Sequence, residues 1–445
     1  MRFQVSPGGP LSGTVPVPGD KSISHRALLL AALAGGRSEV RGLSDGEDVA
    51  RTAGALAELG CRFEVVERAP GSVSWAVEGG PRRLHEPARV LDMGNSGTGM
   101  RLLAGLVAGF RFFCVLTGDG SLLQRPMDRI TVPLSNMGAR VDGRADGAFP
   151  PLCVRGGSLK GIDYSLPVAS AQVKSAILLA GLRAEGETIV REAVATRSHT
   201  EEMLAEVGAK LKVVEEGRSR VCTLSPGPID PFSMVVARDP SQAAFWLVGA
   251  CLVPGSSVSV EGLYAGRERT GFLDVLTRMG AAIEVESIPA VTSGRTGSGR
   301  TATVRARFAG RLRATDVSGE EISGLDEIPV LAVAAAVADG TSRFSGLEEL
   351  RAKESDRLRT VCEMVKGLGG DAEVVDGRSL VIRGKRLSGG FVDAHGDHRI
   401  AMAAAIGALC CEDTTTIEGW ESVRTSYPLF ADHLRMLRWG GKGGA

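Results

Sequence analysis

AGALAELGCRFEV (residues 53–65), VPLSNMGARVD (132–142), EEMLAEVGAKLKVV (201–214), LDVLTRMGAAIEVE (273–286) and VCEMVKGLGGDAEVV (361–375) are five versions of one pattern. In each, apolar residues stand three or four apart, as on one face of a helix; the run stops at glycine; and an alternating strand follows. Ahead of each lies an apolar stretch, a polar hinge and a helix rich in Ala and Leu, and such helices begin near His25, Gly99, Gln172, Gln242, Glu327 and His398. About six copies stand at intervals of about 70–85 residues, so the chain is an internal repeat of a βαβαββ unit. The longest interval contains Ser287–Val304, rich in Ser, Gly, Arg and Thr, which reads as an exposed loop insertion.

A unit with two helices and its own sheet suits three copies packed around a local centre better than a solenoid, whose repeats are roughly 20–50 residues long. A chain of 445 residues also exceeds what one core normally serves. The expected fold is therefore α/β, with two three-unit domains. The last copy lacks a closing strand, which the N-terminal LSGTVPVPG is placed to supply. The chain would then start in one domain, build the other and return, giving one domain over 19–237 and a second over 1–18 with 238–445. The crossovers would fall in the Pro/Asp segments Pro18–Asp20 and Val236–Pro240.

Composition excludes several classes of function. Lys plus Arg equals Asp plus Glu at 52 each and aromatics make up 4%, so neither a basic footprint nor stacking platforms for nucleic acid are present. The longest apolar runs, Ala27–Ala34 and Val330–Ala338, fall well short of a membrane span, and the N-terminus does not read as a leader. Cysteines such as Cys114, Cys251, Cys410 and Cys411 lie in apolar stretches with no metal-ligand spacing and read as buried thiols in a reducing compartment. No P-loop or GxGxxG opens a helix.

The chemistry is concentrated where the Ala-rich helices begin: PGDKSISHR (18–26), GNSGTGMR (94–101), ASAQVKS (169–175), RDPSQAA (238–244), GLDEIP (324–329) and GDHRIAM (396–402). Helix starts offer unpaired N–H groups and suit anions. Asp239, Ser241 and Asp397 read equally well as caps. Capping does not explain Lys21, Arg26, Lys174 and Arg399, because the dipole disfavours cations near a helix start. An anion between them and the helix end resolves the conflict. Arg125, Arg197, Lys353 and Arg357 stand in equivalent loops, and a set of such cations suits substrates carrying phosphates and carboxylates. Asp326 heads an apolar helix and Glu354 lies between Lys353 and Arg357; each alone reads as a cap or a surface pair, and together they are acid/base candidates. His25, His199 and His398 read as hydrogen-bonding positioners, and HGDH (395–398) as a loop rather than a metal site.

PGDKSISHR, GNSGT, RPM, ASAQVKSA, RSHTE, LDEIPVLAVAAA, AKESDR and DHRIAM, in this order across nearly the whole chain, resemble the 5-enolpyruvylshikimate-3-phosphate synthase family. The resemblance implies a two-domain inside-out α/β barrel of six βαβαββ repeats, an active site between the domains that closes on its substrates, and no metal or organic cofactor. It implies that shikimate 3-phosphate is held by Lys21, Ser22, Arg26, Ser170, Ala171, Gln172, Arg197, Asp326 and Lys353, Ala171 through its backbone because other members carry Ser there. Phosphoenolpyruvate would be held by Lys21, Asn95, Gly97, Arg125, Gln172, Arg357 and Arg399. Asp326, Glu354 and Lys21 would be catalytic. It further implies a cytoplasmic monomer inhibited by glyphosate. TSYP (425–428) departs from the KTFP segment of some members, whose lysine contacts phosphoenolpyruvate. Two rivals share the fold: the sister enzyme acting on UDP-N-acetylglucosamine, whose reactive Cys is absent from TGDGSLLQRPMD (117–128), and a noncatalytic anion-binding protein.

Overall fold

In the computed structural model, which describes residues 1–288 and 300–439, each repeat builds one small sheet around one buried helix. The repeat at residues 91–155 shows the rule. Leu91–Asp92 runs parallel to Phe113–Thr117, which pairs antiparallel with Phe149–Arg155, which pairs in turn with Arg140–Gly143. The sheet order is thus first, second, fourth, third strand of βαβαββ, and the same order recurs in five four-stranded sheets. The amphipathic second helices end where the sequence pattern places them: Gly60, Gly138, Gly208, Gly280 and Gly369 all take positive φ, the left-handed turn that side chains resist.

The chain divides into two compact units, residues 19–237 and residues 1–18 with 238–288 and 300–439. In the first, the helix Gly97–Ala108 packs on both Lys21–Leu33 and Ala171–Gly181; in the second, Pro240–Leu252, Ile328–Val337 and His398–Ala408 pack on one another. These six helices are buried on nearly every side, with their polar residues concentrated toward the start, and the sheets of each unit cover them. The arrangement therefore inverts the usual barrel, with helices inside and strands outside. Among the described residues no helix is long and apolar enough to cross a membrane.

Two strand expectations are corrected. The strand that closes the last repeat is Arg2–Val5, antiparallel to Thr415–Glu418, and not LSGTVPVPG. Within LSGTVPVPG, Ser12–Thr14 instead opens the fourth repeat, parallel to Ser257–Tyr264. Correspondingly, Ser233–Val235 opens the first repeat, parallel to Arg37–Ser44. The reason is topological: at each crossover the strand before an inner helix in sequence is not the strand beside it in the sheet. The stretch Ser287–Val304 is only partly a loop, because Ser287–Ile288 and Thr301–Val304 continue a strand pair. Residues 289–299 lie outside the described residues.

Inner helices can approach closely only where a side chain is missing. A Cβ added at Gly105 would stand 2.3 Å from the carbonyl oxygen of Ala176 on the facing helix. Gly105→Ala should therefore destabilise the protein by about 1–3 kcal/mol through overpacking, read as a lower urea midpoint. An unchanged midpoint would mean that the two helices separate at little cost.

Candidate functional site

In the unit of residues 19–237, the side chains of Asp20, Ser96 and Ser170 cap the three inner helices by accepting from Ile23, Gly99 and Val173 N–H. Lys21 opens the first helix, and its ammonium lies 2.9 Å from Asp48 Oδ2 at the start of the next helix. Two turns of buried chemistry follow. His25 Nδ1 is 2.8 Å from Thr52 Oγ1 and its Nε2 is 3.4 Å from Ser96 Oγ, so one imidazole ties three helices together. Burial holds its pKa well below the usual value, and the Lys21 and Arg26 charges add to the effect.

Arg26 is buried. It donates from Nε to Thr200 Oγ1 at 2.7 Å, from Nη2 to Ser175 Oγ at 2.7 Å and from Nη1 to the Ser22 carbonyl at 2.9 Å. Ser22, Ser170, Ala171, Gln172 and Arg197 are half-buried. The anion expected beside Lys174 exists, but the protein itself supplies it. The ammonium is fully buried and donates to Glu192 Oε2 at 2.8 Å and Glu201 Oε1 at 2.6 Å. Lys174 is therefore removed from the set of substrate-facing cations. Glu192, Glu201 and Cys222 come close enough to share an ion, yet the Lys174 ammonium already occupies the carboxylates' common ground.

A second cluster joins Gly97, Arg101, Arg125 and Gln172. Arg101 donates to Gln172 Oε1 at 2.6 Å and to the Pro126 carbonyl at 2.9 Å, while Gln172 Nε2 donates to Thr98 Oγ1 at 2.9 Å. Arg125 donates to Asn95 Oδ1 and to Ser121 Oγ. A Cβ at Gly97 would stand 3.1 Å from an Nη1 of both Arg101 and Arg125. The space in front of Gly97 is thus bounded by two guanidinium groups.

In the other unit, Arg357 is the centre. Its side chain is 1% exposed and meets three carboxylates: Asp397 at 2.7 Å, Asp326 at 3.2 Å and Glu354. Burial acts to lower its pKa, and the charges of Asp397, Glu354 and Asp326 outweigh that and raise it. Asp326 does not cap the helix it precedes; that position belongs to Glu327, whose carboxylate takes a hydrogen bond from Ser241. Asp326 Oδ1 faces Arg357, Arg399 at 3.6 Å and Lys353 at 4.0 Å. The backbone that presents it is unusual, since Leu325 adopts φ +60° directly after Gly324 at +84°. Lys353 donates to the Gly324 carbonyl at 2.8 Å, pinning that turn. Asp397 and Asp239 do cap their helices, at Arg399 N–H and Ser241 N–H. Ser241 Oγ instead accepts from Arg269 Nη2 at 2.9 Å and donates to Glu327 Oε1.

TSYP is a packing segment. Tyr427 is fully buried; its hydroxyl accepts from Trp246 Nε1 at 2.9 Å and lies 2.8 Å from His433 Nδ1, while Thr425 bonds the Ser422 carbonyl. His395, at the head of HGDH, is in a turn with φ +50° and meets Glu363. Sequence reasoning did not find Asp48, Arg101, Glu192, Glu201 or the clamp role of Asp397. One signal was available: Lys21 to Asp48, His25 to Thr52 and Lys174 to Glu201 are each 27 residues apart, because the inner and second helices of a repeat meet in a constant register.

A family model described as EPSP synthase (3-phosphoshikimate 1-carboxyvinyltransferase) matches residues 5–434. The chain is similar to a 3-phosphoshikimate 1-carboxyvinyltransferase of Gluconobacter oxydans, 45% identical over 444 residues that cover 98% of this chain and 97% of that protein. A counterpart from Pelotomaculum thermopropionicum is 45% identical over 450 residues, covering 99% and 100%. Among solved structures, an EPSP synthase from Acinetobacter baumannii is similar with a TM-score of 0.83 and 38% identity, covering 98% of both chains.

Because His25 is held neutral in the folded chain while an unfolded one takes its proton near pH 6.5, its contribution to stability is complete above that pH. Below it, stability should fall by up to about 1.4 kcal/mol per pH unit until the folded pKa is passed. Urea midpoints measured between about pH 7.5 and 5 should fall more steeply for the parent than for His25→Gln. Parallel curves would refute the assignment.

Proposed function

Because the chain belongs to the EPSP synthase family, we propose that it transfers the enolpyruvyl group of phosphoenolpyruvate to the 5-hydroxyl of shikimate 3-phosphate, releasing inorganic phosphate. The observation that carries the chemical reading is that Asp326 and Glu354, two carboxylates suited to proton transfer, share the single buried guanidinium of Arg357. A carboxylate pair oriented by one fixed cation can divide acid and base work.

Phosphoenolpyruvate carries a phosphate and a carboxylate, and Arg125, Arg357 and Arg399, with Lys21, Asn95, Gly97 and Gln172, form its binding set. Shikimate 3-phosphate is held by Lys21, Ser22, Arg26, Ser170, the Ala171 backbone, Gln172, Arg197 and Lys353, with Asp326 at the 5-hydroxyl. The methylene carbon of phosphoenolpyruvate takes a proton from Glu354, assisted by Lys21, as Asp326 takes the hydroxyl proton and the oxygen attacks C2. The tetrahedral product then returns a methyl proton to Glu354 as the C2–O bond to phosphate breaks and phosphate leaves. The cations balance the charge of both substrates throughout. The anionic groups of the substrates would replace Asp48 as the partner of Lys21. In place of the KTFP lysine this chain has Thr425, so the cationic contacts fall to Lys21, Arg125, Arg357 and Arg399. Membership of the family supports a monomer, and the eight cysteines, all outside disulfides, suit the cytoplasm.

Purified protein given phosphoenolpyruvate should release phosphate only with shikimate 3-phosphate, and Asp326→Ala should lower kcat by about 10²–10⁴-fold. Release with UDP-N-acetylglucosamine alone would overturn the substrate, and silence with both would overturn the activity. Glyphosate should compete with phosphoenolpyruvate, and Gly97→Ala should weaken the inhibition, since Arg101 and Arg125 must move by a few tenths of an ångström to admit the methyl group. An inhibition constant far above the KM for phosphoenolpyruvate would contradict the first statement.

A further inference from the structure

We propose that the buried four-charge cluster of Lys174, Glu192, Glu201 and Arg220 is a positioning device that sets Arg197 and Arg26 for shikimate 3-phosphate, an inference that rests on the functional reading above. Lys174 lies on the helix Ala171–Gly181, Glu192 ends the strand Thr188–Glu192, Glu201 is on the helix His199–Glu206 and Arg220 is on the strand Ser219–Leu224. Four elements thus meet at two positive and two negative charges. Lys174 reaches both carboxylates, and Arg220 lies 3.1 Å from Glu201 and 3.9 Å from Glu192.

Arg220 also donates outward to the exposed Glu215, and a largely buried cluster of this kind adds little stability over apolar residues of the same shape. Its effect here is geometric, and it falls on one residue. Thr196 has its N–H and its hydroxyl on Glu192 Oε1 and its carbonyl on Arg220 Nη1 at 2.7 Å. Three polar atoms of Thr196 are therefore held by the cluster, and the next residue is Arg197, in the loop that leads into the helix at His199. On the other flank, the chain neighbours of Lys174 and Glu201 are Ser175 and Thr200. Their hydroxyls lie 2.6 Å apart and accept the Nη2 and Nε of Arg26. One cluster fixes the two helices against each other at the point where Arg26 is gripped, and fixes the loop from which Arg197 extends. Arg125 and Asn95 take no part in it.

The test is a pair of variants assayed at saturating co-substrate. Lys174→Met with Glu192→Gln removes one charge of each sign and keeps the volume. Misplaced binding groups should raise the KM for shikimate 3-phosphate by about tenfold, with kcat and the KM for phosphoenolpyruvate changed less than about twofold. Thr196→Val, which removes only the hydroxyl link, should raise the same KM by about threefold and decides the matter if the double variant does not fold. A rise shared equally by both substrates, or an unchanged KM for shikimate 3-phosphate with only a lower melting temperature, would overturn the proposal. If the parent protein releases no phosphate with shikimate 3-phosphate, the functional reading fails and this inference with it; if the parent is active and only the predicted split is missing, the inference alone fails.

Discussion

A helix buried on every side has no polar face, so its only meeting place with charge is an end. Six helices of this chain are in that position, and their backbones leave unpaired N–H groups at each start. Asp20, Ser96, Ser170, Asp239 and Asp397 answer that need with side-chain oxygens. The candidate residues Lys21, Ser22, Gly97, Gln172 and Arg399 stand in those same first turns, because the rest of each helix is given to packing. The apolar centre and the polar site are two outcomes of one arrangement.

Cations at helix starts oppose the dipole, and each is offset by a carboxylate from a neighbouring element: Lys21 by Asp48, Lys174 by Glu192 and Glu201, Arg399 by Asp326. Arg357 is the extreme case, with three carboxylates around a nearly inaccessible guanidinium. Removing one partner from such a buried set costs about 3–5 kcal/mol, because it strands the others. Stability and chemistry are therefore hard to separate at Arg357, whereas Lys353, half-buried and bonded to a backbone carbonyl, is freer to vary.

The repeat was legible because its punctuation is local. A glycine that must take positive φ after an amphipathic run, as at Gly60 or Gly280, needs no long-range information. The exchange of opening strands was not legible, since Ser12–Thr14 and Ser233–Val235 are three residues each and carry no preference for one sheet over another. The hinge cations were visible from their conflict with the dipole, but the sequence could not separate an internal counter-ion from a ligand. Lys174 is the instance: its partners lie at the end of a strand and on another helix, where glutamates read as ordinary surface residues. Tyr427 was concealed for the opposite reason, a motif position at which the chain uses an aromatic ring for packing against Trp246 and Phe430.

The strand Arg2–Val5 pairs with Thr415–Glu418, so on a ribosome it waits for a partner made some four hundred residues later. Translation at about 5–20 residues per second makes that wait about 20–80 seconds for some four hundred intervening residues. Residues 19–237 can close their own sheets meanwhile, because their opening strand, Ser233–Val235, arrives within the same stretch. During that interval Arg2–Val5 is an unpaired edge on a growing chain, as is Ser12–Thr14 until Ser257–Tyr264 is made, the kind of surface that invites association between nascent copies. The brevity of RFQV and SGT, four and three residues, is then a safeguard for synthesis as much as a structural fit.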